Sequence, residues 1–346
     1  MPVQLNRQGL IDVVNVVKNG ISKTPISEQL THVFFLNNHV GCFSGERFIV
    51  REFPTGLTFS VPVAAILPVL ERMDGEVVHV SFDGNTVKLT SRRSRSGLTI
   101  NLDVSVMDPV LQQVNSSGVF QMLPPIFFQG LEFCKFSASE DITQGILSCV
   151  CTREGVMYSS DDLRITRYNL ISGNDSVDFQ LNIQVFDAEI LLKNKPLGVR
   201  SNGNWTIFST DPQNGPLTII GITPFDGEFP NVDDFFTMEG AEISFPESLP
   251  TVVAEVSHFC DGMFTVDKKL KLQITNEKVI CRAENQRTWF EKEIAHAQPL
   301  DREINIVINP LFFEQILQKT KSAVVGEDRV FFTSDDFEHV LALPGV

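Results

Sequence analysis

Hydrophobic and polar residues alternate with a period of two along much of this chain, in short runs closed by turn chemistry. VVHVSF (77–82) and TVKLTS (86–91) flank Asp83-Gly84-Asn85, and a second such turn, Asn202-Gly203-Asn204, precedes WTIFST. Alternation of this kind predicts half-buried strands joined by tight hairpins. Longer segments with helical spacing interrupt the strands. Stretches 57–102, 177–222 and 303–344 each read as an extended apolar segment, a short amphipathic helix, then strands. A similar helix-plus-strands unit precedes each one: LNRQGLIDVVNVVKNG, PPIFFQGLEFCKF and FPESLPTVVAEVSHFC open these units. Six units at this spacing predict three tandem domains of about 115 residues each, with boundaries at 1–117, 118–238 and 239–346. The predicted class is α+β, each domain having two helices packed on antiparallel sheets. Strands at the ends of such sheets need a partner or protection, and self-association through them closes a ring where the rotation permits.

Length supports more than one core, because 346 residues exceed what a single hydrophobic core holds. The chain is 42% hydrophobic and 21% charged, a globular balance. No apolar run approaches the roughly 20 residues of a membrane span. The N-terminal residues lack the basic head and apolar body of a signal peptide, so a soluble, cytoplasmic protein is expected, with no membrane partner. Six cysteines (42, 134, 149, 151, 260 and 281) lack metal-site spacing and read as reduced core residues. The net charge of −15 argues against a protein that coats nucleic acid by bulk attraction. The first domain is neutral overall, with 10 basic and 10 acidic residues, so the acidity belongs to the other two.

Catalytic motifs are not found: there is no GxSxG, GxGxxG, P-loop or HExxH sequence. The six histidines are scattered. The pairs Asp161-Asp162, Asp233-Asp234 and Asp335-Asp336 fall in predicted turns, where adjacent side chains diverge. No catalytic residue, cofactor or metal site is therefore expected. Two alternatives stay open on residues alone: a β-rich structural or assembly protein, and a hydrolase built on the acidic turn at 161–162. Arg7, Lys18, Lys23, Arg72, Lys135, Lys193, Lys195, Lys319 and Lys321 lie on or beside predicted helices. They read equally as solvated helix ends and as a basic lining for a phosphate backbone.

The repeat pattern resembles the bacterial DNA polymerase III β subunit, the sliding-clamp family, over nearly the whole chain. LNRQGLIDVVNVVKNGISKTPI is similar to the family's opening helix and loop. SRRSRSGLTINL resembles its GRSRF-type strand. GVMYSSDDLRITRYNL resembles the ATDGHRLA segment, GITPFDGEFPNVDDFF the RLIEGxFPDY segment, and HVLALPGV the YVxMPxRL ending. Departures mark a divergent member, of bacterial or phage origin. Asp162 and Leu163 stand at the glycine and histidine of ATDGHRLA, Thr223 at the RLIEG arginine, and the tail is one residue short.

The resemblance implies a non-enzymatic clamp: a head-to-tail homodimer that closes around duplex DNA and tethers the replicative polymerase after delivery by a clamp loader. It makes the nine cations above DNA-facing, with Lys23 at a loop position that contacts DNA. It places Ser160, Asp162, Leu163, Arg164 and Ile165 on one wall of a pocket for partner peptides, with Leu341, Leu343, Pro344 and Gly345 on the tail side. Arg164 would orient a peptide carbonyl. Leu98 and Ile100, with Phe259 and Cys260, would lie at the dimer seam.

Overall fold

The computed structural model describes residues 2–22, 25–171, 179–211, 213, 215–262 and 267–343. They form two compact units: Met1–Leu123 with Glu189–Pro224, and Pro124–Ala188 with Phe225–Val346.

In the first unit a four-stranded antiparallel sheet has the order β1 (Val3–Asn6), β4 (Val77–Asp83), β5 (Thr86–Thr90), β6 (Arg95–Thr99). A six-stranded sheet has the order β2 (His32–Phe43), β3 (Arg47–Pro62), β14 (Thr218–Ile222), β13 (Trp205–Ser209), β12 (Gly198–Asn202), β7 (Gln121–Met122). The predicted turn residues Gly84 and Gly203 adopt φ of 56° and 60°, the left-handed conformation such hairpins require. Helix α1 (Arg7–Val17) is capped by Asn6, whose side chain accepts the Gly9 N–H at 2.7 Å. Its apolar stripe, Leu10, Ile11, Val13, Val14 and Val17, is buried. Helices α2 (Val63–Arg72) and α3 (Asp108–Asn115) follow; the second precedes the predicted boundary at 117. Val110 of α3 joins Phe34, Phe48, Met107, Ile207 and Ile219 in one core cluster. Gly221 sits opposite Phe48, whose ring occupies the space a Cβ would need. That explains a glycine inside the apolar strand TIIGI.

In the second unit an eight-stranded sheet has the order β11 (Leu181–Gln184), β8 (Cys149–Arg153), β9 (Val156–Ser160), β10 (Arg164–Asn169), β22 (Phe337–Ala342), β21 (Arg329–Ser334), β20 (Ser322–Val325), β15 (Ala241–Ser244). A four-stranded sheet has the order β18 (Trp289–Ala295), β17 (Lys278–Glu284), β16 (Leu270–Ile274), β19 (Ile304–Ile308). Helices α4 (Pro125–Lys135), α6 (Leu249–Ser257) and α7 (Pro310–Leu317) belong here, and α5 (Val185–Asn194) carries the chain between units. Asn309 caps α7 by accepting the N–H groups of Leu311 and Phe312. Phe127, Phe313, Phe332 and Phe337 are fully buried, each contributing about 2–3 kcal/mol.

Every strand pairing between these elements is antiparallel, as predicted. The two long sheets each draw strands from two of the predicted thirds: β3 pairs β14, and β10 pairs β22. The predicted boundaries fall in irregular segments at 116–120 and 237–240. All six cysteines are free thiols, and five are buried. Among the described residues, no helix is long and apolar enough to cross a membrane.

Candidate partner-binding surface and sheet edges

The β9–β10 hairpin turns at Asp161-Asp162-Leu163. Asp161 holds the turn together: its Oδ1 accepts the N–H groups of Leu163 and Arg164 at 3.2 and 3.1 Å, and its Oδ2 accepts Arg164 Nε–H at 2.8 Å. Buried Ser160 accepts the Asp162 N–H at 3.3 Å. Asp162 takes φ of 69°, the conformation glycine favours at this position of the resembling motif. The pair is thus turn chemistry, as expected. Among the described residues, no group of three or more His, Cys, Asp or Glu side chains could hold a metal ion.

The single wall expected from residues 160–165 splits over two faces of the sheet, because adjacent strand residues point to opposite sides. Arg164 is 7% exposed and faces the helices. Its Cζ lies 4.0 Å from the Phe312 ring centroid and 5.3 Å from that of Phe136, and its guanidinium donates to Gln315 Oε1 at 2.6 Å. With its charge and donors engaged there, Arg164 is a packing residue rather than a peptide-orienting one. Thr166, on the same face, bonds the Nδ1 of buried His339 at 2.8 Å. Ile165 faces the other way, against a cluster that includes Tyr158, Phe229, Val232, Phe236 and Val340. The DGEFP segment lies on that face: Asn182 donates to the carbonyls of Phe225 and Gly227, and Phe229 stacks on Tyr158.

One end of this sheet presents a small apolar surface. Leu163 is 39% exposed, and its carbonyl accepts the Ala342 N–H at 2.8 Å. Opposite Ala342, Arg329 extends over the ring of Phe235, which is 45% exposed. Leu343 is half-buried beside them, its N–H donating to the Asp328 carbonyl at 2.8 Å. Leu341 is 1% exposed and belongs to the core instead. Pro344 and Gly345 lie outside the described residues. Phe235 was not foreseen; a second aromatic beside Phe236 after two aspartates was the available signal.

The cations occupy varied settings. Arg72, Lys135 and Lys193 lie in the last turns of α2, α4 and α5, and Lys18 caps α1, positions a helix dipole favours. Lys195 ends α5 with φ of 44° and is exposed. Arg7 is partly consumed by structure, donating to the carbonyls of Gly75 and Leu70. Lys319 lies 3.9 Å from Glu132 and over the Phe133 ring; Lys321 lies 3.0 Å from Glu247. Lys23 lies outside the described residues. Helix α6 carries no lysine or arginine.

Two sheet edges stand out. Strand β6, with Leu98 half-buried and Arg95 exposed, is the last strand of its sheet and is preceded by exposed Arg92 and Arg93. Ile100 is buried, its N–H donating to the Asn85 carbonyl. Strand β18 is likewise an edge strand. One face carries Trp289, which is 60% exposed beneath Arg282, together with Glu291 and Glu293. The other face places Phe290 on Phe259, ring centroids 4.7 Å apart. Phe259 thus supports an edge strand from behind. Cys260 is half-buried, its Sγ 3.3 Å from the Lys269 carbonyl.

No protein-family model matches the chain, and neither does any curated protein. The chain has the DNA-clamp fold over its full length. The DNA polymerase III β chain of Streptococcus pneumoniae TIGR4 matches with a TM-score of 0.83 at 16% identity, covering 100% of both chains. A DnaN sliding clamp (DNA polymerase III subunit beta) from Bartonella birtlesii, solved bound to griselimycin, matches at 0.82 and 13%, again over 100% of both. A Helicobacter pylori β clamp, solved bound to a DNA ligase peptide, matches at 0.78 and 9%, covering 100% of both.

Proposed function

We propose that this protein is a DNA sliding clamp, non-enzymatic, working in the cytoplasm of a bacterial cell or phage-infected host. Two copies associate head to tail into a ring of six domains, three per chain with boundaries at 1–117, 118–238 and 239–346. The ring encircles duplex DNA and tethers a replicative polymerase. A clamp loader opens and places it. The observation that carries this is the correspondence of fold with DNA polymerase III β subunits over 100% of both chains. Function by encirclement suits the chemistry. A topological tether needs no strong basic face, so a chain of net charge −15 with cations at helix ends can slide.

The sheet edges support the seam. In this proposal β6 of one copy pairs with β18 of the other, joining backbone hydrogen bonds to a contact between the Arg92–Arg95 side and the Glu291–Glu293 side. Leu98, Phe259 and Trp289 supply the apolar part. Leu163, Phe235 and Leu343 form the partner site, and support comes from the H. pylori clamp solved with a DNA ligase peptide. The test is native mass by light scattering over a dilution series. A species of twice 38.7 kDa that dissociates only on dilution supports the ring; a monomer at every concentration refutes it.

A further inference from the structure

The apolar surface around Leu163 has a rim of one sign, and that rim selects among partners. Asp162 is exposed at the turn beside Leu163, and Asp234 is exposed beside Phe235. Glu327 and Asp328 are exposed where the β20–β21 turn meets the Leu343 backbone. The cations at the same place are already engaged. Arg329 pairs with Asp328 at 3.4 Å and covers Phe235. Arg167 joins Glu338 and lies 3.5 Å from Asp233. An acidic partner segment therefore meets repulsion and no open counter-charge from these elements, whereas a basic one meets several carboxylates in reach.

Resting on the partner-site assignment above, we infer that this surface takes an extended peptide with a short apolar core flanked by lysine or arginine. Leu163, Phe235 and Leu343 take the apolar side chains, and Asp162, Asp234 and Glu327 take the flanking cations. Such rim charges set preference and association rate more than total affinity.

The test uses the full chain and two synthetic peptides sharing one Leu-Leu-Phe core, one flanked by lysines and one by glutamates, titrated by fluorescence anisotropy. The lysine peptide is expected to bind about five- to tenfold more tightly, as two or three exposed pairs would provide. The difference should shrink at high salt and in the Asp162→Asn/Asp234→Asn double variant. Equal binding, or preference for the glutamate peptide, overturns the charge inference while leaving the partner site intact. Binding of neither peptide overturns the partner site, and the inference with it.

Discussion

Arg164 lies flat against Phe312, its guanidinium carbon 4.0 Å from the ring centroid, while its Nε holds Asp161 and its terminal nitrogen holds Gln315. A hairpin turn, a strand and helix α7 are thereby tied by one buried charge. Replacing it with alanine leaves Asp161 without its partner and opens space beside two rings. Arg164→Ala is expected to lower unfolding free energy by about 3 kcal/mol in urea denaturation. Arg164→Lys should recover only part of that, because an ammonium cannot stack and donate in the same plane.

The turn makes a second, cheaper demand on the backbone. Asp162 holds φ of 69°, which aspartate tolerates, glycine adopts freely and a β-branched residue resists. Asp162→Gly should leave the melting temperature nearly unchanged. Asp162→Val should cost about 1–2 kcal/mol by denaturant titration.

His339 gives the fold a defined pH response. It is fully buried, bonded through Nδ1 to Thr166, and burial pushes its pKa well below the ordinary value of 6.5, with the nearby Arg164 charge acting in the same direction. Above pH 6.5 folded and unfolded forms are both neutral and stability is full. As pH falls below 6.5 the unfolded chain takes up a proton that the folded one refuses, and stability declines until the folded pKa is reached. The slope from this residue approaches about 1.4 kcal/mol per pH unit. His32, lowered mainly by burial, acts in the same sense. Urea midpoints at pH 7.5 and 5.5 should therefore differ less in His339→Gln than in the natural chain.

Trp289 tests the proposed seam. It is the large exposed aromatic on edge strand β18, held by Arg282 at 4.8 Å. Aromatic anchors of this kind dominate interfaces, so Trp289→Ala should weaken self-association by about 2 kcal/mol, roughly thirtyfold. Sedimentation equilibrium measures it, with circular dichroism showing an unaltered fold.

Much of the architecture was written in local pattern. VVHVSF and TVKLTS became β4 and β5 around Gly84, and PPIFFQGLEFCKF became α4. Helix α3 was less visible, because DPVLQQVN is only eight residues long and offers three apolar positions, Val110, Leu111 and Val114. The site was legible as a segment and not as a surface. Alternation says that Arg164 and Ile165 point oppositely, but which face meets Phe312 and which meets Phe229 depends on distant parts of the chain. The same holds for Phe235: its exposure follows from the way the residues around it pack, with Phe236 taking the buried place under Arg167.

A ring that encircles DNA is held by topology, so it depends on the DNA having no free end. Protomers dissociated by dilution are reassociated with a nicked circular plasmid, and gel filtration at raised salt separates bound from free protein. A portion of the plasmid is then cut once with a restriction enzyme. A sliding ring is expected to stay with the circle and run off the linear form. Protein held equally by both forms would rule out encirclement.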